Sequence, residues 1–347
     1  MVGPLNAANV RRITTTAAAY GGGIGLLSAS FYGLLRLQAS LARRTITGVP
    51  LEEPPNADGV YGDHPGSPIS FTVIGDSCAA GYGVHHPDEA PGALIAAGLA
   101  EIAEQPVRLT TVARGGARSA DLADQVDRAL VASPNAALII IGGNDVTHSV
   151  SPERAVTMLT DAILRLRDAG CATVVGACPD LGTIKPIQPP LRWLARQWSR
   201  KLAAAQTIAA VEAGARTVSL GSILGPEFAA SPRELFSEDQ FHPSAAGYAH
   251  AAAAVLPSIA AGLGLWPADE YELEPPEGEG VAPISVAAAT AAGHGGTEVA
   301  AATVDGREAG PRGPWAKIRR RNTSNNANVP PLPDASEDAD DGHLTSA

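Results

Sequence analysis

Aromatic residues make up only 4% of this 347-residue chain. A core with so few rings has to be built from Val, Ile, Leu and Ala, which suits a buried parallel sheet covered by helices. Cysteine is as sparse, with Cys78, Cys171 and Cys178 alone. Three cysteines make no disulfide framework. Cys171 and Cys178 flank one predicted strand, and seven steps of about 3.3 Å put them roughly 23 Å apart, beyond bridging distance. There is no C-x-x-C and no zinc-type spacing, so neither a metal nor a cofactor is expected. A basic surface is missing too. Of the net charge of −11, the segment Pro267–Ala347 supplies −8, from fourteen acidic and six basic residues. The remaining −3 is close to neutral and excludes nucleic acid as the expected partner. The cluster Lys317, Arg319, Arg320 and Arg321 reads as a solvated charge run in that tail.

Charge is absent altogether from Ile13 to Leu35. As a helix these residues would run roughly 35 Å, enough to cross a bilayer. Arg11 and Arg12 precede the run; Arg36, Arg43 and Arg44 follow it. A secretory or twin-arginine signal is the rival reading. No clean A-x-A site follows, which favours an uncleaved anchor. Residues 1–45 are therefore expected to be an anchor or signal segment and a membrane is an expected partner. The expected location is the extracytoplasmic side of the cell envelope, or outside the cell if the signal is cleaved. The balanced arginines do not fix orientation. A Pro-rich linker is expected over 46–68.

What is present is alternation. Strand-like apolar runs occur at Ile69–Ile74, Val107–Val112, Ala137–Ile141, Ala172–Ala177 and Arg216–Leu220. Helical patterns lie between them, near Asp88–Glu104, Ser119–Val131, Pro152–Ala169 and Leu191–Ala213, with a last one near Ser244–Ala261. This predicts an α/β fold over 69–265, a three-layer α/β/α sandwich around a central five-stranded parallel sheet. Beyond it, 266–347 shows no sustained apolar period and is expected to be a disordered Pro/Gly/Ala/acidic tail.

Three chemical groups fall at predicted carboxyl ends of strands, where open α/β sheets gather their ligands. Gly75-Asp76-Ser77, with Gly81 beyond, follows the first strand. Arg114-Gly115-Gly116-Ala117 follows the second, and Gly142-Gly143-Asn144-Asp145 the third. A fourth group, Asp239-Gln240-Phe241-His242, precedes the last helix. Folded back over the site, His242 can act as general base on Ser77, and Asp239 can hold its imidazole. The backbone N–H groups of Ser77 and Gly116 and the amide of Asn144 can serve an oxyanion. Each group alone is weak: Gly-Asp-Ser occurs by chance in roughly one chain in ten of this length. The order and placement of all four carry the weight.

As a set they resemble the SGNH (GDSL) hydrolase family, over about residues 69–263. Gly75-Asp76-Ser77 and Gly81 look like its nucleophile block, and Gly116 like its glycine block. Gly142-Gly143-Asn144-Asp145 matches the asparagine block, and Asp239-x-x-His242-Pro243 the last. Exported or membrane-associated actinobacterial-type esterases and lipases have a similar layout. The resemblance implies a flavodoxin-like sandwich, a Ser-His-Asp hydrolase of acyl esters and no metal. Two departures stand out: Cys78 replaces the usual leucine, and adjacent Gly115 and Gly116 blur which is the donor.

Substrate contact is expected from Pro179–Trp198, a proline-stiffened apolar segment after the fourth strand, with Leu181, Ile184, Ile187 and Trp193 as candidates. Packing of this segment on the core is the competing expectation. The motifs also leave open an acyltransferase or a carbohydrate acetylesterase with the same triad. A tethered, non-catalytic binding module is more remote, since neither the P-loop nor the dinucleotide glycine pattern surrounds Ser77.

Overall fold

A computed structural model of the protein describes residues 30–49, 52–265, 297–298, 302–304 and 307–309. Its strands are β1 (Gly59–Tyr61), β2 (Ile69–Gly75), β3 (Val107–Thr111), β4 (Ala136–Ile140), β5 (Ala172–Gly176), β6 (Arg216–Val218) and β7 (Thr297–Glu298), in the order β1-β3-β2-β4-β5-β6-β7. β2 to β6 are the five expected parallel strands. The sheet is larger than five and mixed. β1 pairs antiparallel to β3 at one edge, and the two-residue β7 adds to β6 at the other. β1 lies within the segment expected to be linker, and its three residues are too few to show alternation. β7 and a hairpin of Ala302–Val304 with Arg307–Ala309 fall in the segment where no element is expected.

The helices are α1 (30–47), α2 (Ser77–Ala80), α3 (Pro91–Ala103), α4 (Leu122–Val131), α5 (Gly143–Thr147), α6 (Pro152–Asp168), α7 (Leu191–Glu212), α8 (Leu220–Ile223), α9 (Gly225–Ala230), α10 (Pro232–Leu235) and α11 (Ala245–Gly262). Local chemistry starts several of them. Ser151 and Ser244 cap α6 and α11, accepting from the N–H groups of Arg154 and Gly247, which would otherwise lack partners.

Strand periodicity divides the core in two. Leu138 and Ile140 of β4 face one side, with Phe71, Val73, Leu109 and Val174, under Leu99 of α3 and Val255 of α11. Ile139 and Ile141 face the other, with Ile74 and Val175, under Val126 of α4 and Leu159 of α6. Both faces of the sheet are therefore buried, which is the three-layer sandwich.

α1 joins the first of these clusters through Ala42 and Ile46. Gln38 fixes it to the start of α7: its amide donates to the Pro189 carbonyl (2.6 Å) and accepts from Leu191 N–H (3.2 Å). No described helix is long and apolar enough to cross a membrane. The expected anchor lies largely before residue 30, outside the described residues.

Candidate active site

β2 ends at Gly75, with φ +143°, where an added Cβ would stand 1.9 Å from the Ile140 carbonyl oxygen. No side chain fits there, so the chain can turn sharply against β4. Asp76 follows in extended conformation and caps α2, its carboxylate accepting from Cys78 N–H at 3.0 Å. Ser77 is then the first residue of a single helical turn, closed by Gly81 at φ +90°. Its own N–H has no carbonyl within the turn to bond to.

The expected base arrives from a short loop between α10 and α11. A bridge between Phe236 and Pro243 closes its neck, and Ser237 N–H donates to the His242 carbonyl (2.8 Å). Inside it, Asp239 Oδ1 accepts from Ser237 Oγ (2.7 Å), Phe241 N–H (2.9 Å) and His242 N–H (3.0 Å). That leaves Oδ2 for His242 Nδ1, at 2.6 Å. His242 Nε2 lies 2.8 Å from Ser77 Oγ. All three residues are buried, with relative exposures of 8% for Ser77, 7% for His242 and 1% for Asp239. The ring of Phe241 meets the imidazole edge-on at 4.8 Å between centroids, and Tyr82 stands at 5.6 Å.

Burial pushes the Asp239 carboxyl up. The hydrogen bond and charge of His242, with the bonds from Ser237 and Phe241, outweigh burial and hold it below the ordinary carboxylate range. Asp76 ends on the other side: burial, with Asp145 adding to it, raises it to about 6 despite the Cys78 and Ala79 N–H groups and the charge of His242. The Cys78 thiol is pushed well up, first by burial and then by Asp76 and Asp239. A thiol so shifted yields little thiolate and is a poor rival to the neighbouring serine.

Gly116 is exposed at φ +75° in a turn closed by Ala117 N–H on the Arg114 carbonyl (3.3 Å). Arg114 N–H in turn donates to the Gly75 carbonyl (3.2 Å), bringing this turn beside the serine. Asn144, on α5, donates one amide hydrogen to the Ala117 carbonyl at 3.1 Å; the amide carries a second. A side chain at Gly115 would meet the Tyr82 hydroxyl at 2.8 Å, whereas Gly116 has open space around it. The five residues expected to carry chemistry thus converge at the carboxyl edge of the sheet.

Three buried side chains hold this edge together; two of them, Gln125 and Gln206, sequence reasoning missed, and the third, Asp145, closes the expected asparagine group. Gln125 of α4 accepts from Gly75 N–H (2.7 Å) and donates to the Gly75 carbonyl (2.9 Å). Gln206 of α7 accepts from Cys178 N–H (2.8 Å) and donates to the Ile141 carbonyl (2.9 Å). Asp145 accepts from the N–H and hydroxyl of Ser119.

In the Pro179–Trp198 segment the packing expectation describes three of the candidates: Leu181, Ile184 and Ile187 are buried in the first core cluster, and Trp193 is 66% exposed. Asp180 locks the segment down: it accepts from Gly182 N–H (2.8 Å) and pairs with Arg200 (3.0 Å) and Arg196 (3.3 Å) of α7. Apolar residues spaced this way signal burial, and burial in the core satisfies them as well as a ligand would. A cavity of about 440 Å³ does adjoin the histidine loop, lined by Lys185, Pro232, Arg233, Phe236, Ser237, Glu238 and Gln240.

Comparison with known proteins bears on this arrangement. The model of the GDSL-like lipase/acylhydrolase family matches residues 73–250. A GDSL-like esterase of Mycobacterium tuberculosis is 41% identical over 256 residues, covering 70% of this chain and 81% of that protein. Among solved structures, a lipase/acylhydrolase from Enterococcus faecalis is similar at 17% identity and a TM-score of 0.46, covering 55% of this chain and 94% of that one. An acetyl xylan esterase from Geobacillus stearothermophilus follows at 19% and 0.41, covering 58% and 96%.

Proposed function

The chain belongs to the GDSL-like lipase/acylhydrolase family and is an ester-hydrolysing hydrolase; from that premise we propose that it cleaves carboxylic esters through Ser77, His242 and Asp239. One observation carries the reading: the buried chain Asp239–His242–Ser77, with contacts of 2.6 and 2.8 Å. In this scheme His242 Nε2 takes the Ser77 hydroxyl proton as Oγ attacks the ester carbonyl. Charge builds on the carbonyl oxygen, and the N–H groups of Ser77 and Gly116 and the free hydrogen of Asn144 receive it. His242 then protonates the leaving alcohol. Water, deprotonated by the same nitrogen, releases the acid from the acyl-serine. Asp239 keeps the imidazole in the tautomer with hydrogen on Nδ1 and stabilises its charged form.

Transfer of the acyl group to a sugar or lipid hydroxyl needs the same groups, with the acceptor hydroxyl in the place of water. The charge-free run at 13–35 supports a place in the cell envelope for the enzyme.

The test is Ser77→Ala. Turnover of p-nitrophenyl butyrate is expected to fall by about 10⁴-fold or more with the fold retained, and labelling by a fluorophosphonate to vanish. Wild-type turnover in that variant would overturn the assignment. Product analysis with competing alcohols separates hydrolysis from transfer.

A further inference from the structure

Most large apolar side chains exposed among the described residues are gathered in one region. Phe31, Tyr32, Leu34, Leu37 and Leu41 are exposed on α1, and Trp193 and Trp198 on α7. Gln38 joins the two helices at the start of α7. On α1 the inward positions are Leu35, Gln38, Ala39, Ala42 and Ile46. Leu34, Leu37 and Leu41 recur every three or four residues and form a second stripe beside that inward one, and exposed Phe31 continues the inward line toward the start of the helix. Packing on the domain therefore uses one side of α1 and leaves an apolar stripe without a partner among the described residues.

Charge in this region has a single sign. Residues 30–49 hold Arg36, Arg43 and Arg44 and no acidic residue, and Leu181–Val211 holds Lys185, Arg192, Arg196, Arg200 and Lys201, again with no acid. Asp180 pairs with two of these, Arg196 and Arg200. In a chain with net charge −11, this is a strong local reversal. Exposed Leu, Phe and Trp among basic residues match the apolar and anionic layers of a lipid interface.

We propose that this face docks on an anionic bilayer surface, with α1 lying along the interface and Trp193 inserted beside it. A second copy of the chain is the poorer occupant, since it would bring arginines against arginines. The docking uses none of the triad's elements, and the charge-free run of 13–35 overlaps α1 at residues 30–35.

The experiment is sedimentation of the full chain with sucrose-loaded vesicles, equimolar phosphatidylglycerol and phosphatidylcholine against phosphatidylcholine alone. The wild type is expected to partition onto the anionic vesicles about tenfold better. Leu34→Glu, Leu37→Glu and Leu41→Glu together are expected to lower that partitioning about tenfold or more, with p-nitrophenyl butyrate turnover in vesicle-free buffer unchanged. If turnover falls, the milder pair Leu37→Ser and Leu41→Ser decides, and must shift partitioning in the same direction. Three results would overturn the proposal: partitioning equal on both lipids, partitioning unaffected by the substitutions, or substitutions that abolish self-association while vesicle binding stays. Failure of Ser77 labelling would count against the catalytic reading alone.

Discussion

Asp76 and Asp239 both interact with His242 and end on opposite sides of the ordinary carboxylate range: burial prevails at Asp76, and the bonds from His242, Ser237 and Phe241 outweigh it at Asp239. The pH consequences differ in sign. Asp239, depressed in the folded state, contributes stability that is present above the unfolded carboxylate value and lost as pH falls through its folded one. Asp76, raised to about 6, does the reverse: its contribution is greatest below the unfolded value and is lost as pH rises to about 6. Asp76→Asn keeps an oxygen for the α2 cap and removes the buried charge. It is expected to gain about 2–3 kcal/mol over wild type at pH 8 and little at pH 4. Urea unfolding at the two pH values checks this; an equal difference at both would refute it. The same variant removes a negative charge that favours the imidazolium, so its kcat/KM at pH 8 is expected to fall while labelling of Ser77 persists. Asp239→Asn is expected to lower kcat by at least about 10²-fold, through loss of the correct tautomer.

At the scale of elements, the active edge depends on backbone groups that run past the sheet and find side chains to bond. Gln125→Ala would strand the Gly75 N–H in a buried place and leave the Gly75 carbonyl to Arg114 N–H alone. A loss of about 1–3 kcal/mol is expected, read from the denaturant midpoint, together with lower kcat because β2 positions Ser77. Gly75→Ala is expected to be worse, since the Ile140 carbonyl occupies the space. The five parallel strands and the helices between them were legible because long apolar runs and helical spacing report burial directly. The proposed triad could be named from the sequence because its motifs stand at a strand end and one loop. Gln125 and Gln206 were not, since a polar residue on a helix reads as a solvent position until the strand end beneath it is known. Leu181, Ile184 and Ile187 left two readings open for the complementary reason: apolar character does not say whether a side chain meets a substrate or the core. β1 and β7, of three and two residues, are held by pairing with a neighbour, which leaves no local pattern.

Across the molecule, the sheet separates two cores, and only their carboxyl edge carries chemistry. Leu159, on α6 in the second core, is fully buried. Leu159→Ala is expected to cost about 2–5 kcal/mol and leave kcat/KM unchanged at temperatures where the protein stays folded. Thermal unfolding alongside turnover at a low fixed temperature measures both. A parallel loss of kcat/KM in folded protein would mean that the layers transmit strain to the site.

The loop Ser237–Pro243 has one more implication. The bonds that shape the Asp239–His242 pair close within Phe236–Pro243, from the bridge at its neck to the three donors on Asp239 Oδ1. The pair is thus a cassette, whose internal geometry is a property of a short peptide and not of the domain. Chain length between β6 and the cassette can change over evolutionary time without retuning the base. What must be conserved there is docking alone, at Gly83, where an added Cβ would strike the Pro243 carbonyl oxygen at 2.6 Å.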